Sequence, residues 1–446
     1  MRRIRTVILG AAGRDFHNFN VVFRTDPDHV VIAFTAQQIP HIADRSYPPD
    51  LAGPLYPEGI PVHPEQDLEA LIRRSNVNLC VLSYSDLSYD DVGHLASRAT
   101  AAGADFTMLG VRRTMLRSRL PVVSVCASRT GAGKSQTSRA VVRVLRGHGL
   151  RVAVLRHPMP YGDLSAQRVQ RFADAADLER HDVTFEEREE YEPHIATGSV
   201  VWAGVDYGAI LHAAEQEADV IVWDGGNNDT SFLEPDLAIT VVDPHRPGHE
   251  LTYHPGETNV RMADVVIMNK VDTAPAGNVK QVRANIRSIN ATAEILEAES
   301  PVEVEDPAVL RNRRVLAIED GPTLTHGGMS IGAAMIGARQ CGATLMDARP
   351  YAQGEIAEAL RQYPHIREAL PALGYGERQV EDMEATIEAA ARAGAEAVAI
   401  GTPIDLARLL RIPIPHTRVG YSLRLRDEAA LERILSPFTG RVPARV

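Results

Sequence analysis

The stretch VVSVCASRTGAGKS at residues 122–135 decides the fold of this chain. Its first six residues form an apolar run that predicts a buried strand, and residues 136–146 carry apolar side chains at helical spacing. Between them lies a glycine-rich turn that is typical of the phosphate-binding loop of P-loop nucleotidases. Such a turn lets the backbone curl around a phosphate, and the helix N-terminus adds its partial positive charge. The sequence therefore predicts that this loop binds a nucleoside triphosphate.

Each position of the loop has an expected task. Lys134 should reach the β- and γ-phosphates and act in catalysis, and the Ser135 hydroxyl should ligate Mg²⁺. The first position of the pattern carries a small Ser128 instead of glycine. Arg129 is either a solvent-facing residue of the turn or a catalytic group that stabilises the transferring phosphoryl group by bidentate hydrogen bonding. The other nucleotide-binding positions are Thr130, Gly131, Ala132, Gly133 and Gln136.

The charge balance of the chain narrows its possible partners. The 446 residues include 47 basic and 58 acidic ones, a net charge of −11, so nucleic-acid binding has no electrostatic support. Three widely spaced cysteines fit buried thiols in a reducing compartment rather than disulfides or a zinc site. The apolar run near the first residues is too short for a signal segment, and no run approaches a membrane span. We therefore expect a cytoplasmic protein without a membrane partner.

Alternating strand and helix patterns indicate an α/β protein in three blocks. Residues 1–118 predict a Rossmann-like domain with a parallel sheet, which we expect to bind the acceptor substrate. Residues 119–320 predict a P-loop NTPase domain, a parallel sheet with helices on both faces and a last strand at 315–318. Residues 321–446 predict a further α/β segment, which is either a separate domain or part of the P-loop sheet.

The run DVIVWDGG at residues 219–226 predicts a buried strand that ends in an acid and two glycines. In a P-loop fold, the carboxylate at this place organises Mg²⁺, usually through water. A plain β-turn would also explain an acid after an apolar strand, but the place of this run after the P-loop favours the functional interpretation. Asp224 is therefore predicted to act in catalysis and, together with Ser135, to hold the metal.

The run VVIMNKVD at residues 265–272 ends in Asn-Lys-x-Asp after a strand, a motif that resembles the guanine reader of GTPases. There the carboxylate accepts two hydrogen bonds from guanine, the asparagine bonds a base edge and the lysine lies along the ring. Related P-loop enzymes use the same position for adenine, and loops after strands also carry Asn and Asp for structural reasons. Asn269, Lys270 and Asp272 are predicted to bind the nucleotide.

Arginine and histidine residues recur in loops that follow predicted strands. Ligands of open α/β sheets collect beyond the carboxyl ends of strands, so these loops are expected to share one face. Any one of them is more often structural, but together they would suit a small anionic, phosphorylated acceptor. The chain has no HxH or HExxH pattern, so a transition-metal site is not expected. The candidate acceptor residues are Arg14, His17, Asn18, Arg156, His157, Arg246, His249 and Glu257.

With these motifs in place, the chain resembles the cyclic 2,3-diphosphoglycerate synthetase family, which overlaps a group of predicted GTPases. The likeness runs along nearly the whole chain and includes GAAGRDFHNFN, SRTGAGKSQTS, WDGGNND, VVDPHRPGHE, YHPGETNVRMAD and EDGPTLTHGGM. The P-loop is generic, whereas the opening segment and HPGETN are more particular. The resemblance implies ATP- and Mg²⁺-dependent closure of 2,3-diphosphoglycerate into its cyclic pyrophosphate, with release of ADP and phosphate, by a homodimer.

Two other functions stay open on the sequence alone. One is a GTPase or metallochaperone of the urease-accessory type, although the chain has no CxxC or His-rich metal tract. The other is a kinase or synthetase for a different phosphorylated small acid. The NKVD motif favours GTP and the family resemblance favours ATP. Because the resemblance spans the chain, we expect ATP.

Overall fold

The structure is a computed structural model, and it describes residues 3–37, 45–157, 162–226, 229–325, 330–372, 377–402 and 406–440. Of the segments quoted above, Asn227, Asn228 and residues 326–329 lie outside these ranges. The chain divides into two compact units, each described by itself below. The first comprises Met1–Ala173, Gly198–Glu297 and Asp427–Val446, and the second comprises Asp174–Thr197 and Ala298–Arg426.

The first unit opens with a mainly parallel sheet that is covered on both faces. Ile8 of the first strand packs with one helix layer, whereas Val7 and Leu9 pack with the other, as the two-residue period of a strand requires. The strands run in the order Ser46–Tyr47, Ile60–Pro64, His29–Ala36, Ile4–Leu9, Leu79–Leu82 and Asp105–Met108; the first pair is antiparallel. The helices are Gly13–Asn18, Phe19–Phe23, Pro49–Ala52, Glu65–Asp67, Leu68–Ser75, Tyr89–Ala102 and Val111–Thr114. The Rossmann-like layering predicted for this region is confirmed.

The P-loop sheet belongs to the same unit, and every residue of its strand Val122–Ala127 is buried. Burial on both faces explains why the central strands of this sheet read as continuous apolar runs. The strand order is Gln170–Phe172, Val200–Ala203, Val152–Arg156, Val220–Trp223, Val122–Ala127, Leu237–Val242, Val265–Met268 and Glu294–Glu299, with the first pair antiparallel. The helices are Lys134–Gly147, Tyr207–Ala214, His249–Thr252, Gly256–Met262, Ala276–Ile289 and Ala430–Thr439. The α/β class predicted from the alternating pattern is confirmed.

A short antiparallel ribbon joins the two halves of the first unit. It pairs Leu87–Ser88, which follows the N-terminal sheet's strand Leu79–Leu82, with Tyr253–His254 of the P-loop region. We call this pair the ribbon.

The second unit is built on its own sheet. The strand order is Val302–Val304, His416–Tyr421, Ala397–Gly401, Arg314–Asp320 and Thr344–Leu345, and Ala369–Ala372 also pairs with Arg314–Asp320. Strand Arg424–Leu425 pairs with residues 298–299. Helices and helical turns are Ala175–Arg180, Phe185–Ala196, Pro307–Leu310, Gly321–Thr325, Ala333–Gln340, Arg349–Tyr351, Gly354–Gln362, Glu377–Arg392 and Leu406–Arg408. Across the described ranges of both units, no helix combines the length and apolar character needed to cross a membrane.

Strand Arg314–Asp320 differs from the sequence-based expectation in the sheet that it joins. We expected it as the last strand of the P-loop domain, but it lies between Ala397–Gly401 and Ala369–Ala372 in parallel register. An apolar run predicts a buried strand without specifying its neighbours, since those come from residues far along the chain. The region before residue 321 is therefore shared between the two sheets.

An aromatic cluster around Phe232 holds the start of the chain against the P-loop sheet. The fully buried Phe232 ring stacks on His17 at 4.0 Å and on His157 at 4.7 Å between centroids. Trp223 and Tyr207 approach the same ring at 4.5 and 4.7 Å. His17 belongs to the first helix and His157 follows a strand of the P-loop sheet, so this ring links the two sheets of the first unit.

Truncation of this ring should therefore be costly. We expect Phe232→Ala to lower the free energy of unfolding by about 3–5 kcal/mol, because it opens a cavity between elements that cannot collapse on each other. Urea denaturation measures the loss, with Ile331→Ala at an exposed site as control, where a change within about 0.5 kcal/mol is expected. Equal effects of the two variants would contradict this role of Phe232.

Candidate active site

The phosphate loop has the backbone that its glycines predict. Helix Lys134–Gly147 begins directly after Gly133, whose φ is +112°, and Gly131 has a φ of +79°. A Cβ atom on Gly133 would lie 2.1 Å from Asn269 Nδ2 and 2.6 Å from Gln136 Nε2. Side chains cannot occupy that space, so glycine is required here both by conformation and by close packing.

Asp224 is the electrostatic centre of the loop's surroundings. Its carboxylate, which is fully buried, pairs with Lys134 through Oδ1 and with Arg156 Nη1 through Oδ2 at 2.5 Å. Ser138 Oγ donates a hydrogen bond to Oδ2 at 2.8 Å. The Asp224 carboxylate also attracts the Arg139 guanidinium and acts to raise its pKa, but burial has the larger effect and lowers it. Three basic side chains around one acid leave an excess of positive charge beside the loop, which suits phosphate groups.

Two of these contacts were not expected from the sequence. Arg156, assigned above to the acceptor, is instead a partner of Asp224, and Ser138 was not singled out at all. Ser135, the predicted magnesium ligand, is exposed in the first turn of the helix. Ser138, one helical turn after Ser135, faces the sheet. The 3.6-residue period of the helix could have predicted this orientation.

The NKVD segment braces the phosphate loop. Asn269 Nδ2 donates to the Ala132 carbonyl at 3.0 Å, and Lys270 Nζ donates to the Gly131 carbonyl at 2.7 Å. Asn269 is fully buried, whereas Asp272 is exposed. Both side-chain bonds therefore hold loop backbone in place. Sequence reasoning expected the Asn269 amide group to face the purine.

Lys270 reaches a second partner on the neighbouring strand. Its Nζ lies 2.9 Å from Asp243 Oδ2, and Arg246 Nη2 lies 3.2 Å from the same oxygen. Burial would raise the pKa of Asp243, but these two cations outweigh it and the pKa is lowered. Asp243 is thus an ionised anchor for both Lys270 and Arg246.

Arg129 does not face solvent. Its side chain is 9% exposed, its Nε lies 2.9 Å from Asp86 Oδ1, and its Cζ stands 3.7 Å over the Tyr253 ring. Arg129 Nη1 also donates to His249 Nδ1 at 3.2 Å. Sequence reasoning left a turn residue and a catalytic group open, and the structure instead places Arg129 against partners from two other segments.

A cavity of about 40 Å³ lies between the N-terminal sheet and the P-loop sheet of the first unit. Of the predicted acceptor residues, Arg14 and Asn18 line it, while His17 and His157 stack behind it on Phe232. The remaining lining side chains are both polar and apolar: Leu82, Ser83, Tyr84, Met108, Leu109, Val111, Thr114, Asp229, Thr230, His254 and Pro255.

Arg246, His249 and Glu257 do not line this cavity. The first is held by Asp243 and the second by Arg129, whereas Glu257 pairs with Arg261 one turn along its own helix at 2.5 Å. Next to Glu257, a Cβ on Gly256 would lie 2.2 Å from the Ser128 carbonyl oxygen, so this helix packs its backbone on the start of the phosphate loop. Some of the residues predicted to bind the acceptor therefore lie in or next to the cavity, whereas the others lie in contacts around the phosphate loop.

The cavity carries less positive charge than the arginine and histidine residues around it suggest. Arg14 Nε pairs with Asp229 Oδ1 at 2.8 Å, and Arg14 Nη2 donates to the Thr230 carbonyl at 2.5 Å. Burial, with Arg14 adding to it, lowers the pKa of His17 to about 3 and that of His254 to about 4. Burial likewise lowers the pKa of His157 well below its usual range. At neutral pH these imidazoles are uncharged. Arg14 is paired with Asp229, although burial raises the pKa of that carboxyl, so the site carries little net charge.

Asp15 is a buried acid that sequence reasoning missed. Its Oδ2 accepts a hydrogen bond from the Ala12 backbone N–H at 2.6 Å, and its Oδ1 has no hydrogen-bond partner among the described residues. A Cβ on Gly10 would overlap Oδ1, so the glycine turn makes room for this carboxyl. Burial raises the pKa of Asp15 to about 8.

Replacing Lys134 tests the phosphate loop. We expect Lys134→Ala to lower nucleotide turnover by about 10²–10³-fold, because a charge that stabilises the transferring phosphoryl group is lost. The fold should persist, since Arg156 and Ser138 still satisfy Asp224. Lys280→Ala, at an exposed position, is the matched control. A folded Lys134→Ala protein with near-normal turnover would remove the loop from the active site.

The raised pKa of Asp15 predicts how the free energy of unfolding depends on pH. The folded protein keeps this carboxyl protonated up to about pH 8, whereas the unfolded chain releases the proton near pH 3.8. The contribution of Asp15 is therefore complete below pH 4 and is lost as the pH rises to about 8. Asp15→Asn stays neutral, so its stability relative to the wild type should increase from pH 4 to 8 and then level off. Urea denaturation across this range measures the difference, and a pH-independent difference would refute the assignment.

A metal site built from protein ligands alone does not occur among the described residues. In those ranges, no three His, Cys, Asp or Glu side chains come close enough together to hold an ion. An ion at this site would have to be held largely by phosphate oxygens and water, which is the usual arrangement for Mg²⁺ in P-loop enzymes.

Comparison with known families places part of this region in a nucleotide-binding family. Residues 208–297 match the nucleotide-binding domain family described as CobW/HypB/UreG. Among solved structures, LpxK from Aquifex aeolicus in complex with ATP aligns at 14% identity over 73% of this chain and 90% of that chain, with a TM-score of 0.43. A ParA family ATPase from Chlorobium tepidum aligns at 13% identity over 42% and 86%, with a TM-score of 0.25. Both scores are too low to establish a shared fold.

A much closer relationship is found with a curated protein of Thermococcus kodakarensis, arginine synthetase ArcE. The two chains are 54% identical over 438 residues, which is 98% of this chain and 97% of the relative. That relative does not carry the name of a cyclic 2,3-diphosphoglycerate synthetase, so it lends no support to the acceptor implied by the resemblance above. Identity at this level along nearly the full length of both chains shows common descent. The chain belongs to the arginine synthetase ArcE family and is a P-loop, nucleoside-triphosphate-dependent synthetase.

Proposed function

We propose that this protein is an ATP- and Mg²⁺-dependent synthetase that forms arginine. The observation that carries the proposal is the 54% identity with arginine synthetase ArcE across nearly the whole chain. The site supports it, because a positively charged phosphate loop lies in the same unit as a separate, nearly neutral cavity. The proposed enzyme therefore has one place for the nucleotide and another for an acceptor.

The chemistry of the product identifies the acceptor. A P-loop enzyme transfers the γ-phosphoryl group to an oxygen, and the precursor of arginine that has oxygen in place of one guanidino nitrogen is citrulline. The ureido oxygen of citrulline attacks the γ-phosphorus and ADP leaves. Ammonia then adds to the activated carbon, and phosphate departs with the oxygen. Citrulline, ammonium and ATP thus give arginine, ADP, phosphate and one proton.

Side chains of this protein would stabilise the charge that develops in the first step, the phosphoryl transfer. Lys134, in the first turn of the helix, would turn from Asp224 to the β- and γ-phosphates, while Arg156 remains to neutralise that buried carboxylate. Phosphoryl transfer needs mainly positioning and charge stabilisation, so no nucleophilic side chain is required.

Magnesium fits the donors that the loop presents. Ser135 offers an exposed hydroxyl in the first turn of the helix, and Asp224 lies beyond it at the end of the next strand. Since Mg²⁺ keeps several waters and binds phosphate oxygens, Ser135 would contact it directly and Asp224 would act through water. The bound ion would neutralise charge that develops on the phosphate oxygens.

The cavity favours a zwitterionic acceptor over a bisphosphate. Arg14 and Asp229 present opposite charges side by side, the neighbouring histidines are neutral, and Leu82, Met108 and other apolar side chains complete the wall. An amino-acid end group matches this balance, whereas 2,3-diphosphoglycerate would require more unpaired cations. With a volume of about 40 Å³, the cavity would take one end of the acceptor.

The test is a direct assay of the purified protein. With ATP, Mg²⁺, ammonium chloride and citrulline, we expect arginine and ADP to appear in equal amounts, as measured by mass spectrometry and a coupled ADP assay. Parallel reactions replace citrulline with 2,3-diphosphoglycerate, followed by ³¹P NMR, and ATP with GTP. Formation of the cyclic pyrophosphate without arginine would overturn the proposal in favour of the bisphosphate reaction.

The nucleotide preference is tested in the same assay. We expect ATP to be used at least as well as GTP, and Asp272→Ala to cost little, because Asn269 and Lys270 spend their hydrogen bonds on the phosphate loop. A site built for guanine would leave that carboxylate without partners when the wrong base binds, and would discriminate sharply. Turnover of GTP alone, lost in Asp272→Ala, would instead indicate a GTPase of the urease-accessory type.

A further inference from the structure

Arg129, which the sequence predicted to act in catalysis, contacts residues of other segments of the first unit. Its guanidinium is held by three groups: Asp86 Oδ1 at 2.9 Å, His249 Nδ1 at 3.2 Å and the face of the Tyr253 ring at 3.7 Å. Arginine can only donate, so His249 must accept through Nδ1 and carry its proton on Nε2. Burial, with Arg129 and Arg246 adding to it, lowers the pKa of His249, which keeps the ring neutral and able to accept.

Two of these partners lie at the ribbon, one on a strand and one directly before the other strand. Asp86 directly precedes Leu87–Ser88, and Tyr253 is the first residue of Tyr253–His254. Asp86 has a φ of +59°, a left-handed conformation that turns the chain into the ribbon. Arg129 of the phosphate loop therefore contacts one strand of the ribbon at Tyr253 and the residue directly before the other strand, Asp86.

The ribbon is continuous with the wall of the cavity. Ser83 and Tyr84 line the cavity two to three residues before Asp86. His254 lines it on the other strand, and Pro255 lines it directly after that strand. On the loop side, Arg129 lies between Ser128, whose carbonyl contacts the helix after the ribbon, and Gly131, whose carbonyl binds Lys270. A shift of the loop backbone would therefore reach two sides of the cavity through the guanidinium.

We infer that Arg129 is a positioning residue that couples nucleotide occupancy of the phosphate loop to the geometry of the acceptor cavity. Phosphates bound by the loop fix the conformation of its backbone, and Arg129 in turn fixes the position of the ribbon. The cavity then has the geometry that the acceptor needs once ATP is bound. The identity of the cavity as the acceptor site rests on the proposed function, but the link from loop to ribbon does not.

The link is tested first without any acceptor. Hydrogen–deuterium exchange of peptides that contain 83–90 and 250–256 is measured with and without a non-hydrolysable ATP analogue. We expect the analogue to protect both peptides in the wild type and in Arg143→Gln, an exposed arginine on the helix that follows the loop. In Arg129→Gln the protection of both peptides should be lost, although calorimetry finds the affinity for the analogue within about threefold.

A second variant separates coupling from general damage. Arg129→Lys keeps the charge but not the planar fork that reaches two acceptors and stacks on a ring, so it should lose most of the protection while unfolding like the wild type. Arg129→Gln and Asp86→Asn should be non-additive in the double variant, because each breaks the same contact. Equal protection in wild type and Arg129→Gln, or additive effects, would overturn the inference.

Two further outcomes have defined meanings. If Arg129→Gln weakens binding of the analogue more than tenfold, Arg129 is a phosphate ligand and the positioning role is refuted. In arginine formation, the role predicts that Arg129→Gln raises the KM for citrulline about tenfold and leaves that for ATP nearly unchanged. If the wild type forms no arginine but the exchange experiment succeeds, the proposed function fails and the coupling stands.

Discussion

The structure around the phosphate loop depends on how one carboxylate, that of Asp224, is kept charged in the interior. Lys134 and Ser138 reach it from the helix after the loop, and Arg156 reaches it from the end of the neighbouring strand. A buried charge of this kind is tolerated only when it is paired and hydrogen-bonded, and Asp224 has both kinds of partner. The pairing therefore holds one helix and two strands in register at the edge of the sheet where phosphates would bind. Lys134 thus contributes both to this pairing and to the positive charge beside the phosphate loop.

The parts of the fold that could be predicted are those that local patterns specify. The strand Val122–Ala127 coincides with its apolar run, and the helix after the loop begins at Lys134, because glycine, charge and periodicity all change within a few residues there. Strand Arg314–Asp320 was also found, but its sheet was not. Its neighbours lie at Ala369–Ala372 and Ala397–Gly401, and no local feature of the strand encodes them.

The candidate site shows the same division between local and distant information. Lys134 and Asp224 were predictable because each follows a motif with a fixed place in P-loop folds. Asp15 and Asp86 were not, since their importance arises from contacts with residues that only the folded chain brings close. The sequence also overstated the positive charge of the cavity. A histidine counts as a possible cation on paper, whereas burial beside Arg14 keeps His17 neutral.

Helix Ala430–Thr439 has a consequence for how the chain is made. It packs on the helix that starts at Lys134, with His148 Nε2 2.8 Å from Glu432 Oε2, and Arg433 reaches Glu294 at 2.8 Å. The segment that separates this helix from the rest of its unit, Ala298–Arg426, belongs to the other unit. During synthesis on the ribosome, the nucleotide-binding unit therefore cannot be completed when its own strands have emerged, and it must wait for the whole intervening segment. A nascent chain stalled before residue 430 would already contain the phosphate loop and the lining of the cavity, yet it would leave exposed the face of the Lys134–Gly147 helix that this last helix covers.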